Sequence, residues 1–280
     1  MEEPLVIEGQ VVKPMLFPSE TPSDAKPIVK NDIEILKPNV AFVLDNVLSP
    51  SECQFIIDQG EEMGFDDLKH YTSKYRGNVR ILVKTKSLSD VVLERIRPYL
   101  EQRLDIKPGS NLTGPMMRAY YGQWELSAIN DLWRLCKYNH LGKFAAHYDG
   151  HYIQDNDNRS YLTFMIYLSE GIEGGSTRFL DNKSNKILAE VVPKAGSVLV
   201  FQHDMWHDGD VVKNGLKYII RSDVMYRRLN SETKAPQLES EQTARKLCQE
   251  AILLEKTDPT GAAALFRRAF KLHPPLEEEY

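Results

Sequence analysis

Between Arg134 and Tyr226 the chain breaks into seven short β-rich runs, RLCKYN, KFAAHYD, YLTFMIYLS, STRFL, ILAEVV, GSVLVFQ and KYIIRSDVMY, parted by Gly, Asn and Asp. So many short strands with turn signals between them point to an antiparallel barrel or jelly roll. Asn214-Gly215 before the last run is a strong two-residue hairpin signal. Upstream, VAFVLDNV reads as a strand. A helix should then start with Ser49 as N-cap and Pro50 in the first turn, and continue through Phe55, Ile56, Gln59 and Met63. A second helix is expected from Ser87 to Leu100, with Val91, Val92, Leu93, Ile96 and Leu100 on its apolar face. The fold class is therefore mainly β with flanking helices, an α+β jelly roll that carries a C-terminal helical hairpin.

Proline and polarity mark the boundaries. Residues 1–33 hold Pro4, Pro14, Pro18, Pro22 and Pro27 among charges and read as a flexible, Pro-rich lead-in. The main domain is expected over 34–230, with order beginning near Asn39. A linker is expected over 231–238, and two helices fill 239–280. In the second helix Ala262, Phe266, Ala269 and Pro274 stand at tetratricopeptide spacing. A single such unit cannot build a solenoid, so a hairpin packed on the domain is preferred to a partner-binding module.

Composition narrows the class. The formal charge is -5 and no long basic run occurs, so nucleic acid is not an expected partner. Cys53, Cys136 and Cys248 stand far apart with no CxxC pair, which fits a reducing compartment. The N-terminus has no basic stretch followed by an apolar core, and no apolar run nears the roughly 18 residues of a membrane span. The expected location is cytoplasmic or nuclear, with no membrane partner.

The chemistry centres on His147-Tyr148-Asp149. In an extended segment, side chains at i and i+2 share a face, so an imidazole and a carboxylate can grip one metal. His207, after GSVLVFQ, can supply a third ligand from a distant strand. Two His and one carboxylate leave three positions open, the facial triad of non-haem iron oxygenases. A 2-oxo acid chelates through two of them and dioxygen takes the third. A lone HxD is weak, and His147 alone would read as a core histidine. The later strand-end His and a cation ten residues beyond it make chance a poor explanation. His151 continues the alternation but precedes a polar loop, so it reads as a rim residue. His203 and His207 have the i, i+4 spacing of a helical zinc site, but the run before them is β-branched, so His203 reads as structural or as support behind the ligands.

A dicarboxylate cosubstrate needs a cation for its far end. Lys217, Ile219 and Arg221 share one strand face. A hairpin about Asn214-Gly215 would set Arg221 beside the His207 end and Lys217 further along. That favours Lys217 for the far carboxylate of 2-oxoglutarate and leaves Arg221 for the near end, the substrate or an ion pair. Thr163, Met165 and Tyr167 alternate likewise and can line the same pocket, although barrel core is an equal reading for Thr163 and Met165. Tyr138 and Tyr167 bring hydroxyls that need partners if buried. Residues 66–80 mix Tyr71, Tyr75, Arg76 and Arg80 in a Gly-containing loop, which suits a lid over a peptide as well as a solvated connector.

The stretches RLCKYNHLGKFAAHYDG, SYLTFMIYLSEGIEGGSTRF, PKAGSVLVFQHDMWHDGD and GLKYIIRSDVMYRR resemble the prolyl 4-hydroxylase-like branch of the iron(II)- and 2-oxoglutarate-dependent dioxygenases. With the upstream PNVAFVLDNVLSPSECQFIIDQGEEMGF, the resemblance spans roughly 39–228. It implies a double-stranded β-helix with a mobile loop over its mouth, near residues 66–80. It implies iron on His147, Asp149 and His207, 2-oxoglutarate on Lys217, and cosubstrate contacts from Tyr138 and Tyr167. Dioxygen is the second cosubstrate and ascorbate the expected reductant. The implied reaction hydroxylates a C–H bond, on a peptidyl residue such as proline, with succinate and CO2 as co-products. Ser176 departs from the acidic residue common at its position, and the helical tail has no counterpart in the family core. Two other classes stand beside this one. One is a catalytically silent jelly-roll protein that holds a partner through the 66–80 loop and the tail; the other is a zinc hydrolase, which would have no use for Lys217.

Overall fold

The computed structural model describes residues 4–7, 9–68, 75–107, 121–155, 157–229, 237–254 and 257–272. The N-terminal part supplies four strands, β1 (Val6–Ile7), β2 (Gln10–Pro14), β3 (Val29–Asp32) and β4 (Ala41–Asp45). Helix α1 (Pro50–Met63), β5 (Val79–Lys84), α2 (Lys86–Ile96), β6 (Arg103–Ile106) and β7 (Gly122–Ile129) follow. The expected β-rich region then gives β8 (Leu132–Tyr138), β9 (Phe144–His147), β10 (Asn158–Tyr167), β11 (Glu173–Gly174), β12 (Thr177–Leu180) and β13 (Ile187–Val191). It ends with β14 (Val198–Gln202), β15 (His207–Gly209), β16 (Val212–Asn214) and β17 (Lys217–Arg228). Each of the seven runs read from the sequence holds a strand.

Both faces of the central strands are apolar because both are covered. In β14, Val198 and Val200 enter one core while Leu199 and Phe201 enter another. In β10 the pairs are Phe164 and Ile166 against Met165 and Tyr167. The first core packs α1 and α2 on the large sheet, whose strand order is β1-β2-β5-β8-β17-β10-β14-β4-β3, with β7 and β6 branching from β17. The second core faces the smaller sheet β13-β12-β15-β9. Two facing sheets of this kind make the jelly roll, and the space between them holds the candidate site.

Helix α1 begins as the sequence indicates. Ser49 accepts from the Glu52 amide, Glu52 accepts from the Ser49 amide, and Pro50 occupies the first turn. Glu52 also takes both Arg95 nitrogens at 2.8 Å, which ties α1 to α2. Ser49→Ala deletes one half of the capping box and should cost about 1 kcal/mol, read by urea unfolding. Helix α2 begins one residue before the expected start, on a Thr85 cap, and stops at the Arg97–Tyr99 3₁₀ turn.

Two expectations need correction. The described part of the lead-in, 4–7 and 9–33, is not a loose segment: β2 pairs in parallel with β5, β3 pairs with β4, and Met15 and Phe17 lie in the core. Its prolines sit at strand ends or between strands, where no ladder N–H is lost. The Asn214-Gly215 turn does not join a hairpin. β16 pairs with β11, while β17 crosses into the large sheet between β8 and β10. Gly215 takes φ 90°, so the turn residue performs its local task and the chain changes sheets there.

The chain divides into two units, 1–229 and 230–280. In the second, α3 (Gln237–Leu254) and α4 (Pro259–Leu272) bury Ala244, Leu247, Cys248 and Ala269 against Leu265, Phe266 and Phe270. Pro274 lies outside the described residues. Among the described residues no helix is long and apolar enough to cross a membrane.

Candidate metal and cosubstrate site

Strand pairing assembles the site. β15 lies antiparallel to β9 with His207 directly opposite His147, and the two rings stand 4.3 Å apart. Asp149 lies two residues past the end of β9, where its amide donates to the His203 carbonyl at 3.0 Å. Ligand atoms of His147, Asp149 and His207 fall within 4.8 Å of one another, a group able to hold a metal ion.

The imidazoles are oriented from behind. Nδ1 of His147 meets the Ala145 carbonyl at 2.8 Å, and Nδ1 of His207 meets the Met205 carbonyl at 2.9 Å. A carbonyl oxygen only accepts, so each Nδ1 carries the proton and each Nε2 turns its lone pair toward Asp149, at 3.6 and 3.8 Å. Phe144 stacks on His147, and Phe201 stands edge-on to His207. Burial pushes the His207 imidazole down to about 4, against the pull of Asp149, so the ring is neutral and ready to bind a cation at neutral pH. Burial opposes charge on Asp149, but the Arg221 guanidinium holds its carboxyl well below the usual carboxylate range. Arg221 Nη2 touches Asp149 Oδ1 at 3.0 Å, and Thr163 donates to Oδ2 at 2.7 Å.

A cavity of about 420 Å3 opens onto these residues. Its lining includes the buried Lys217, Tyr138, Ile219 and Met165 and the more exposed Tyr75, Arg76, Tyr148 and His151. Lys217 is 3 % exposed, with Nζ 5.2 Å from the Tyr138 ring centre. Among the described residues no carboxylate lies within 4.0 Å of that ammonium. Burial lowers its pKa to about 8. A buried cation without an ion-pair partner, in the same cavity as two imidazoles and a carboxylate, is a donor set suited to iron(II) and a dicarboxylate such as 2-oxoglutarate.

Arg221 does stand at the Asp149 end, with Lys217 further along. The cause is the period-two face of β17 between β8 and β10, with Lys217 opposite Tyr138 and Arg221 opposite Arg134 and Met165. Thr163 faces the cavity, but its hydroxyl is committed to Asp149 and His203. The Tyr167 hydroxyl donates to Thr177 at 2.8 Å, and Tyr167 is not among the residues that line the cavity. In the expected lid, Tyr71 lies outside the described residues. Tyr75 and Arg76 are tied to β9 through the Ala145 amide and the Arg76–Phe144 bridge, and Arg76 lies over the Phe144 ring at 4.5 Å. Arg80 is a sheet residue, 1 % exposed and bonded to Gln10, although it reaches the cavity wall. Sequence reasoning did not find Arg134 and Cys136 in the wall. It also did not find the Ser160–His203–Thr163 chain behind Asp149, nor the Arg178 clamp on Asp208 and Asp210 that braces β15.

Fold and site together define an oxygenase-type jelly roll with a two-histidine, one-carboxylate centre. Residues 133–222 match the family model of the 2OG-Fe(II) oxygenase superfamily. Similar solved structures include a viral collagen prolyl hydroxylase from Paramecium Bursaria Chlorella virus-1 in complex with 2OG. It is 18% identical, with a TM-score of 0.45, and the match covers 68% of this chain and 97% of that one. A Pseudomonas putida prolyl-4-hydroxylase is 15% identical over 70% of this chain and 97% of that one, with a TM-score of 0.46. A Trichoplax adhaerens prolyl hydroxylase, solved with a hypoxia inducible factor peptide fragment, is 14% identical over 70% and 86%, with a TM-score of 0.45. No curated protein sequence matches the chain.

Proposed function

We propose that the chain hydroxylates a C–H bond of a peptidyl residue, proline by resemblance of the 39–228 segment. The observation that carries the reading is the convergence of the His147 and His207 Nε2 atoms, the Asp149 carboxylate and the buried Lys217 ammonium on one cavity. His147, Asp149 and His207 would hold iron(II), and Lys217 would pair the far carboxylate of 2-oxoglutarate. Iron(II) held there would supply the oxidative decarboxylation of 2-oxoglutarate to succinate and CO2, with one oxygen atom of O2 going to succinate and the other to the substrate's new hydroxyl. The protein's part is to orient and to exclude water. Phe144, Phe179 and Phe201 wall the histidines with apolar surface. The Tyr138 ring lies against the Lys217 ammonium, and the part-exposed Tyr75, Arg76 and Tyr148 of the lining would meet an entering substrate. Ascorbate is the proposed reductant.

The test is succinate release from purified protein given iron(II), ascorbate and 2-oxoglutarate, with and without a proline-containing peptide library. Release that rises with a peptide, together with hydroxyl in that peptide, is the expected result. Iron-loaded protein that releases no succinate with any peptide would leave the catalytically silent binding protein as the better reading.

The 230–280 unit is proposed to serve partner binding rather than chemistry, since α3 and α4 bury a core of their own. A chain ended at Leu229 should still decarboxylate 2-oxoglutarate at the full-length rate, followed by the same succinate assay. Loss of that activity would show that the helices support the oxygenase domain.

A further inference from the structure

His203 lies on the first residue after β14, between the two sheets, and neither it nor Ser160 is 1 % exposed. It is not a cavity-lining residue, and the reaction proposed above does not use it. Its ring nitrogens nevertheless stand at the centre of a chain of bonds whose direction can be worked out. Asp149 Oδ2 can only accept, so the Thr163 hydroxyl spends its one proton on that 2.7 Å contact. Thr163 Oγ1 must then accept at its other contact, and the donor is His203 Nδ1–H at 2.9 Å. In the neutral ring Nε2 carries a lone pair and accepts from the Ser160 hydroxyl at 2.8 Å. Ser160 Oγ in turn accepts from the Tyr152 amide at 2.8 Å. Every donor and acceptor from Tyr152 to Asp149 is matched, in one direction only.

We propose that His203 is a positioning residue for the metal centre: in its Nδ1–H tautomer it fixes the Thr163 hydroxyl as a donor to Asp149 and so sets the plane of the metal-binding carboxylate. The inference rests on the assignment of Asp149 as a metal ligand. The backbone supports it independently, since the His203 carbonyl accepts from the Asp149 amide at 3.0 Å. Side chain and main chain of one residue therefore hold both ends of Asp149. Thr163 takes Oδ2 and Arg221 takes Oδ1, so the carboxylate is clamped from two sides before any metal arrives. Bonds of this kind to ligating groups are worth roughly 10- to 100-fold in metal affinity.

The experiment measures the dissociation constant of iron(II) from the full chain without cosubstrate, together with thermal unfolding of the metal-free protein. Asn presents its side-chain nitrogen near the place of Nδ1, whereas Gln presents it near Nε2. His203→Asn should keep the donor to Thr163 and bind iron within about threefold of the natural protein, while His203→Gln and Thr163→Val should each lose roughly 10- to 100-fold. The His203→Gln, Thr163→Val double variant should lose no more than the worse single one, because both remove the same bond. Asn and Gln variants that bind iron equally would overturn the proposal, as would a His203→Gln protein of lowered melting temperature and unchanged iron affinity. His147→Ala is the reference arm. If it binds iron as the natural protein does, the ligand assignment has failed and takes the relay with it; if it alone loses iron, only the relay has failed.

Discussion

Lys217→Met should lose 2-oxoglutarate while gaining stability, two effects of opposite sign from one buried charge. If Lys217 pairs the far carboxylate in this dry pocket, removing it strands that carboxylate at a cost of about 2–5 kcal/mol. At about 1.4 kcal/mol per tenfold, affinity falls by roughly 30-fold to a few thousand-fold. The free protein responds the other way. Burial lowers the ammonium from 10.5 to about 8. Each pKa unit is about 1.36 kcal/mol, so the charge costs the cosubstrate-free fold on the order of 3 kcal/mol, and Met of similar length relieves it. The sign follows from linkage. The unfolded chain holds this proton more tightly than the folded one, so the cost is full below pH 8, shrinks between about 8 and 10.5, and is gone above. Urea unfolding of cosubstrate-free Lys217→Met should therefore show its gain at neutral pH and little at pH 10. Titration of 2-oxoglutarate into the iron-loaded protein reads the loss. Arg221→Met should weaken cosubstrate binding less; a larger loss there than in Lys217→Met would reverse the roles given to the two cations.

The strands were legible because burial on both faces writes continuous apolar runs such as TFMIYL and SVLVFQ, and no solvent face breaks them. The grouping of His147, Asp149 and His207 was legible for another reason. A His, a carboxylate and a second His at strand ends are residue types that a core does not ask for. What stayed hidden depends on pairings that no local pattern encodes. Ser160 and Thr163 are ordinary strand residues until β10 lies beside β14 with Thr163 opposite Phe201, which brings both hydroxyls to His203. Tyr167 shows the reverse case: its hydroxyl found Thr177, a partner ten residues away in sequence, rather than the cavity. The lead-in was misread because proline density signals disorder, while Met15 and Phe17 carry enough apolar surface to anchor it. The order of Lys217 and Arg221 along the cavity came from the period of one strand, so it did not need the hairpin from which the sequence argument drew it.

Asp149→Ala should destabilise the metal-free protein far more than His207→Ala, although both should abolish iron binding. The carboxylate is 5 % exposed and does two things at once. It faces the imidazoles, and it neutralises Arg221, whose Nη2 lies 3.0 Å from Oδ1. The other acid near that guanidinium, Asp223, is more distant, at 3.8 Å. Breaking a buried ion pair from one side leaves the surviving charge uncompensated and costs about 3–5 kcal/mol. The Arg221 side chain is 20% exposed, so water takes up part of that charge and the lower end of the range is expected. His207→Ala removes a neutral ring and strands no charge, so its loss should be smaller. A second change tests the cause: Asp149→Ala with Arg221→Met removes both charges and should regain much of the stability while iron binding stays lost. Urea midpoints of the metal-free proteins decide the matter. If the double variant is no more stable than Asp149→Ala, the stranded arginine is not the reason for the loss, and the carboxylate would be holding the fold through Thr163 and His203 instead.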